Sequence, residues 1–284
     1  MDAIKKVEMP DESTKYLSFQ PDLTPKMRAI LVDWIIELSE HFLFSTTTLH
    51  LAITLVDKVM ACGKLSLDEG SDDEDDSDSD DDDSKTKNFL IPRERYQLLG
   101  ATCTWIACKI EEMKPPTVKD FAYVSDNIYT TTQIQRMERR ICLALKFSFC
   151  VPTPYPHMYE LLRASSECTN PACVPSRLMK NMSNYMLELG RLPYGPVTRK
   201  PSLLAAAAIY LARVTLSGDT TWTPTLEYYS GYRKSDLKET VEEIYCYHVS
   251  AEECNLKSTF NKFRSKKYDR VAYKTVPLRE NLGF

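Results

Sequence analysis

Glycine is scarce in this chain, 8 of 284 residues, and few runs alternate apolar with polar residues, so strand-and-turn architectures have little to build on. No stretch approaches the roughly 18 uncharged apolar residues of a membrane-spanning helix. The opening "MDAIKKVEMPDESTKYL" lacks the charged-then-apolar order of a secretory signal, so an intracellular protein is expected. The nine cysteines (Cys62, Cys103, Cys108, Cys142, Cys150, Cys168, Cys173, Cys246 and Cys254) include no C-x₂-C pair. Cys168 and Cys173 come nearest to a ligand pair, but no histidine lies near them, and no metal is expected. Catalytic signatures are missing too: no glycine-rich phosphate loop, no G-x-S-x-G and no H-E-x-x-H. His41, His50, His157 and His248 fall on separate expected helices, so neither a cofactor nor an enzymatic activity of the chain's own is expected.

Charge is present but unevenly placed. The formal net charge is −4, yet Asp68–Asp83 contains 12 acidic residues and no basic one. Setting that run aside leaves 36 Lys and Arg against 28 Asp and Glu, a body of about +8. Residues 68–89, "DEGSDDEDDSDSDDDDSKTKNF", are low in complexity, repel one another and have almost nothing to bury. Ser71, Ser77 and Ser79 each have an acid three positions on, the pattern that acidophilic kinases favour; a plain spacer is the alternative. A basic body keeps nucleic acid among the possible partners, with "KFRSKKYDRVAYK" (Lys262–Lys274) the most basic stretch.

The rest of the chain reads as helices broken by short Pro-, Ser- and Thr-rich joints. The rhythm places helices at 25–43, 46–62, 94–113, 117–125 and 130–146, then at 153–165, 175–190, 200–217, 223–231 and 235–249. Two sets of five suggest a duplication. "LLGATCTWIACK" (Leu98–Lys109) and "LLAAAAIYLARV" (Leu203–Val214) are both rich in small residues, which let neighbouring helices come close, and each suits the centre of a bundle. The first helix, "PKMRAILVDWIIELSEHF", is unusual. Met27, Ile30, Leu31, Trp34, Ile35 and Leu38 make one apolar face, yet Val32 and Ile36 lie well round the barrel. A helix needs one such face to sit on a core; this one has two.

"MRAILVDW", "TLHLA", "YQLLGATCTWIACKIEE", "PPTVKDFAYVSDN" and "RMERRICLALKF" resemble, in that order, the cyclin box of the A- and B-type mitotic cyclins. "WTPTLEYYSGY" resembles the second box of B-type members, in particular their third subclass. The resemblance runs from about Gln20 to Asp269 and implies an all-α fold of two tandem five-helix cyclin boxes. On that reading residues 1–24 are an N-terminal arm, 25–149 the first box with an acidic insertion at about 66–88, 150–254 the second box, and 255–284 a C-terminal tail.

The resemblance also implies two surfaces. Met27, Leu31 and Trp34 would floor a shallow groove for Arg-x-Leu motifs of substrates and inhibitors, with Glu37 pairing the motif arginine, Gln97 bonding the peptide backbone and Arg93 at the border. Lys109 and Glu138 match a pair that grips the regulatory helix of a cyclin-dependent kinase, and Leu98, Ile106, Ile110, Met113, Phe147 and Phe149 match the apolar positions around it. The implied role is a kinase regulator of the cell cycle at G2/M or mitosis, in nucleus and cytoplasm. A transcription-factor core of the same architecture and a substrate-recruiting adaptor are the alternatives. Three departures stand out: the acidic insertion, Ile110 where relatives usually carry Phe, and the lack here of the long N-terminal region with a destruction box. "RENL" (Arg279–Leu282) is an Arg-x-x-Leu match near the C-terminus.

Overall fold

Hydroxyl side chains set where the helices begin. Thr24, Ser45, Thr117, Thr130, Ser176 and Thr223 each accept a hydrogen bond from the backbone N–H three residues on, a cap worth about 1 kcal/mol apiece. The structure, a computed structural model, describes residues 12–63, 65, 90–165, 176–195, 199–218, 220–275 and 278–284. The acidic run Asp68–Asp83, with Ser71, Ser77 and Ser79, and also Cys168 and Cys173, lie outside the described residues.

Five helices form a first set: α1 (Pro25–His41), α2 (Thr46–Cys62), α3 (Arg93–Glu111), α4 (Val118–Val124) and α5 (Thr131–Ala144). A second set follows: α6 (Pro154–Ser165), α7 (Arg177–Leu189), α8 (Pro201–Ser217), α9 (Pro224–Ser230) and α10 (Lys234–Ser250). All ten start and stop within two residues of the positions that periodicity gives. The fold is all-α, two tandem helical domains, with no strand among the described residues. The two small-residue helices are the central ones: α3 packs on α2 and α5, and α8 packs on α6, α7 and α10. In α8 every residue from Leu204 to Val214 is buried. Ala205 to Ala208 have no bulk to hold neighbours away.

Two further pieces tie the sets together. A 3₁₀ helix, Glu12–Phe19, lays Tyr16 against α2, where its hydroxyl donates to Asp57 (3.0 Å). After α10 the chain forms α11 (Ser258–Phe263), which packs against both α1 and α7, and then short 3₁₀ turns that bury Val271, Ala272 and Leu282. The stretch read as a tail thus contributes Phe260, Phe263, Val271, Ala272 and Leu282 to the core.

The two-sided apolar pattern of α1 follows from this. Arg28 is wholly buried: its Nε and Nη2 each donate to a carboxylate oxygen of Asp57 on α2 at 2.8 Å, and Nη1 donates to the Arg191 carbonyl after α7 at 2.9 Å. Val32 and Ile36 continue that face at i+4 and i+8 and are buried with it. On the same helix Asp33 accepts from the Ser258 N–H and hydroxyl (3.0 and 2.8 Å), and Glu40 accepts from the Tyr268 hydroxyl (3.0 Å). The helix is packed between the first set on one side and the C-terminal segment on the other.

Candidate partner-binding surfaces

What α1 leaves open is a narrow strip. Met27 and Trp34 are half-buried, while Ile30 and Glu37 are exposed, giving an i, i+3, i+7, i+10 line along the helix. Leu31, expected to floor a groove, is only 4% exposed, because it packs against α3 at Gly100, where even a β-carbon would come within 2.5 Å of its Cδ1. The second apolar side, Val32 and Ile36, faces the protein's own core. Ile30, read from the sequence as part of the apolar face, was not among the residues expected to floor the groove, yet it is the exposed one. Gln97 is half-buried and Arg93 exposed on α3, which packs on α1, but neither lines the cleft described next.

A cleft of about 390 Å³ opens at the C-terminal end of the strip, lined by Trp34, Glu37 and His41 of α1, by Tyr123 in the last turn of α4 and by Asp126 and Asn127 after it. Asp126 and Asn127 both have positive φ (52° and 56°), a conformation that Asp and Asn tolerate better than most side chains. The turn brings a second carboxylate, Asp126, to the cleft that Glu37 borders. An apolar ring, Trp34, between two carboxylates suits a peptide carrying a basic residue beside an apolar one. Neither Tyr123 nor Asp126 had a site signal in the sequence: Tyr123 falls in the expected helix 117–125 and Asp126 in the joint that follows it.

The second surface lies on the other side of α3. Lys109 and Glu138 form an ion pair between α3 and α5, with side-chain exposures of 36% and 21%. The Lys109 ammonium sits 3.8 Å from the centre of the Trp105 ring, and Trp105 is itself fixed by its indole N–H donating to the Pro116 carbonyl (3.1 Å). Burial holds the Lys109 ammonium somewhat below its ordinary pKa, with the Cys142 thiol acting weakly the other way. The next residue, Ile110, opens onto a cleft of about 500 Å³, whose walls include Leu51, Phe147, Phe149, Val151 and Pro152.

Leaving α5, the chain makes two successive residues of positive φ, Lys146 (50°) and Phe147 (55°), which turn the Phe147 ring outward. Such a backbone is uncommon for bulky side chains, and it is held by the Lys146 and Phe147 N–H groups donating to Leu143 and Cys142 carbonyls. Phe147 and Phe149 then meet edge to face with centroids 6.3 Å apart. Ile110 is 47%, Phe147 66% and Met113 100% exposed. Ile110 and Phe147 thus put large apolar side chains open to water on one cleft, the kind of surface that suits a protein partner.

Two of the expected contact positions are elsewhere. Leu98 and Ile106 are 5% and 3% exposed and belong to the core, because α3 is central and meets protein on most of its circumference. They pack inside the protein and hold α3 in place. Among the described residues no group of His, Cys, Asp and Glu side chains is placed to hold a metal ion, and no helix is long and apolar enough to cross a membrane.

Residues 2–70 and 83–150 match the cyclin N-terminal domain family, and residues 152–277 match the cyclin C-terminal domain family. The G2/mitotic-specific cyclin S13-7 of Glycine max is 31% identical over 94% of this chain and 91% of its own length. This chain belongs to the cyclin family. Its relatives span both A and B types: Cyclin-A2-3 of Arabidopsis thaliana is 31% identical over 96% of this chain, and Cyclin-B1-2 of the same plant is 30% identical over 94%. The chain spans about half the length of those two relatives, 54% and 53%. Among solved structures, a viral cyclin from herpesvirus saimiri superimposes with a TM-score of 0.60 at 19% identity, covering 80% of this chain and 86% of the other. A chain of the CAK complex from Chaetomium thermophilum bound to ATP-γ-S gives 0.51 at 14% identity, covering 88% and 72%. At those identities the likeness is one of fold, and this cyclin's two helical sets share it.

Proposed function

We propose that this cyclin is the regulatory subunit of a cyclin-dependent serine/threonine kinase, of the mitotic B type, and that its first helical set, residues 25–149, grips the kinase. The carrying observation is the apolar cleft bordered by the exposed Ile110 and Phe147, with Ile110 following directly on Lys109 of the Lys109–Glu138 pair. A kinase needs its strand lysine and regulatory-helix glutamate paired before ATP phosphates are positioned. A rigid partner that binds only the rotated-in regulatory helix shifts the population to that state. The cyclin performs no chemistry in this reading; it supplies the wall. Pairs of this kind commonly bury more than about 2,000 Å², enough for a lasting complex.

The strip and cleft on α1 would select substrates and inhibitors. An Arg-x-Leu peptide would lay its leucine on Met27, Ile30 and Trp34, over the buried Leu31, and direct its arginine to Glu37 and Asp126. Gln97 would bond the peptide backbone and Arg93 border the site. Ser71, Ser77 and Ser79, outside the described residues, are proposed sites for an acidophilic kinase, each phosphate adding about −2. The complex would act in nucleus and cytoplasm.

The test is to mix the purified chain with candidate cyclin-dependent kinases and follow both co-migration on a sizing column and phosphate transfer. Co-migration with faster turnover is expected, and Phe147→Asp should abolish both. Co-migration without activation would favour the adaptor, and salt-sensitive DNA binding without either would favour the transcription-factor core.

A further inference from the structure

Among the described residues, seven other than glycine have positive φ, and six of them fall in consecutive pairs. Asp126–Asn127 and Lys146–Phe147 border the two clefts above. The third pair, Asp269–Arg270 (55° each), borders neither, although a bulky arginine in this region is uncommon. It closes the loop that follows α11, and that loop is strongly basic. From Lys257 to Lys274 the chain carries seven Lys and Arg and a single acid, Asp269. Lys262 is buried and bonded to Glu188 (2.7 Å), so it contributes no free charge. Asp269 is occupied by Arg177 (3.2 Å) and by the Asn181 amide (2.7 Å). Arg264, Lys266, Lys267 and Arg270 are exposed and have no ion-pair partner among the described residues.

The loop is also fixed. Arg177 of α7 donates to the Lys267 carbonyl (2.7 Å), the Arg270 N–H donates to the Ser265 carbonyl (3.1 Å), and the Tyr268 hydroxyl donates to Glu40 of α1 (3.0 Å). Four like charges within seven residues of one fixed loop make a local positive field that an anion would neutralise. A prearranged cation set loses little freedom on binding.

We propose that this loop is a docking surface for an acidic peptide segment of a partner protein, running past Arg264, Lys266, Lys267 and Arg270. Nucleic acid fits less well. The cations crowd on one loop instead of tracking a helix, and the Tyr268 ring, which would be the stacking platform, is pinned by its hydroxyl and has the Lys267 ammonium 4.8 Å from its centre. A lipid surface fits less well because 264–270 offers no exposed aliphatic side chain to insert.

The experiment measures fluorescence anisotropy of a labelled oligo-glutamate peptide with the full chain, and with a chain whose acids in 68–83 are changed to serine so that they cannot compete. Oligothymidylate of matched charge and anionic-lipid vesicles are the other arms. The peptide should bind the second chain, and Arg264→Glu with Lys267→Glu should weaken it by about tenfold or more. Lys238→Glu, an exposed reversal on α10, should leave binding unchanged. Arg270→Gly, which suits the backbone there, should weaken binding less than the double reversal while melting like wild type. No peptide binding, an equal loss with Lys238→Glu, unchanged binding in both loop variants, or tighter binding of oligothymidylate or vesicles would each overturn the proposal.

Discussion

Arg28 and Asp57 meet in the interior, and Lys109 and Glu138 meet at the surface; both pairs join two helices of the first set. Inside, each of the three Arg28 nitrogens has an acceptor: the two Asp57 oxygens for Nε and Nη2, and the carbonyl of Arg191 for Nη1. Burial pushes the Asp57 carboxyl up, but Arg28 outweighs it and holds the carboxyl below its ordinary range. Outside, Lys109 is held by one carboxylate and one ring, partly open to water, and the exposed Ile110 follows it directly. The same chemistry therefore does two jobs. The interior pair, with the Arg191 carbonyl, ties α1 to α2 and to the chain that follows α7, and the surface pair presents charge where a partner can reach it.

The sharpest way to separate the two is to break each. Arg28→Ala leaves the Asp57 carboxylate buried without its main partner and should cost about 3–5 kcal/mol in urea unfolding. Replacing both residues by apolar ones of similar size should restore much of that loss. A loss under 1 kcal/mol for Arg28→Ala would mean that the interior pair is not the tie.

The interior also contains a pH-dependent contact. His248 of α10 makes 3.0 Å hydrogen bonds with the Tyr185 hydroxyl and the Lys274 carbonyl, and burial depresses its pKa to about 4, with the carbonyl acting weakly against it. The unfolded chain takes up this proton below about pH 6.5 and the folded chain does not. Stability is therefore full above that pH and falls as pH drops toward 4, by about 3 kcal/mol from this group. Burial lowers His50 as well, adding in the same direction. Urea unfolding across that window should show the slope, and His248→Gln should make it shallower; an identical slope in the variant would contradict the assignment.

At the surface the effects should move to function. Trp34→Ala removes a ring worth roughly 1.5–3 kcal/mol when covered, so the KM for Arg-x-Leu substrates should rise about tenfold or more. Short peptides without the motif should be phosphorylated as before. The smallest expected effect on folding is that of Lys109→Glu, under about 1 kcal/mol, because a surface pair contributes little.

Much of this was legible before the fold. Periodicity located all ten helices: eight carry an apolar rhythm of three turns or more, the short α4 and α9 are marked by Pro-Thr joints at their starts, and six of the ten have a hydroxyl cap. Ile110, Phe147 and Phe149 were expected together and share one cleft. Leu98 and Ile106 were misread as contact residues because a helix apolar on most of its circumference does not say which side meets the core. Arg28 was silent because an arginine in an apolar run reads as a surface charge until its partners are found 29 and 163 positions away. Asp126 depended on a turn whose backbone no spacing rule gives. The segment after α10 looked like a basic tail because Phe260, Phe263 and Val271 are too few and too irregular to announce a core.

The central claim is that the surface pair and its apolar neighbours hold a kinase in working alignment while the interior pair holds the cyclin together. Kinase activation by Lys109→Glu, measured beside its urea unfolding curve, tests this most directly. The account predicts a wild-type unfolding midpoint with activation lost. Full activation by a folded Lys109→Glu variant would contradict it.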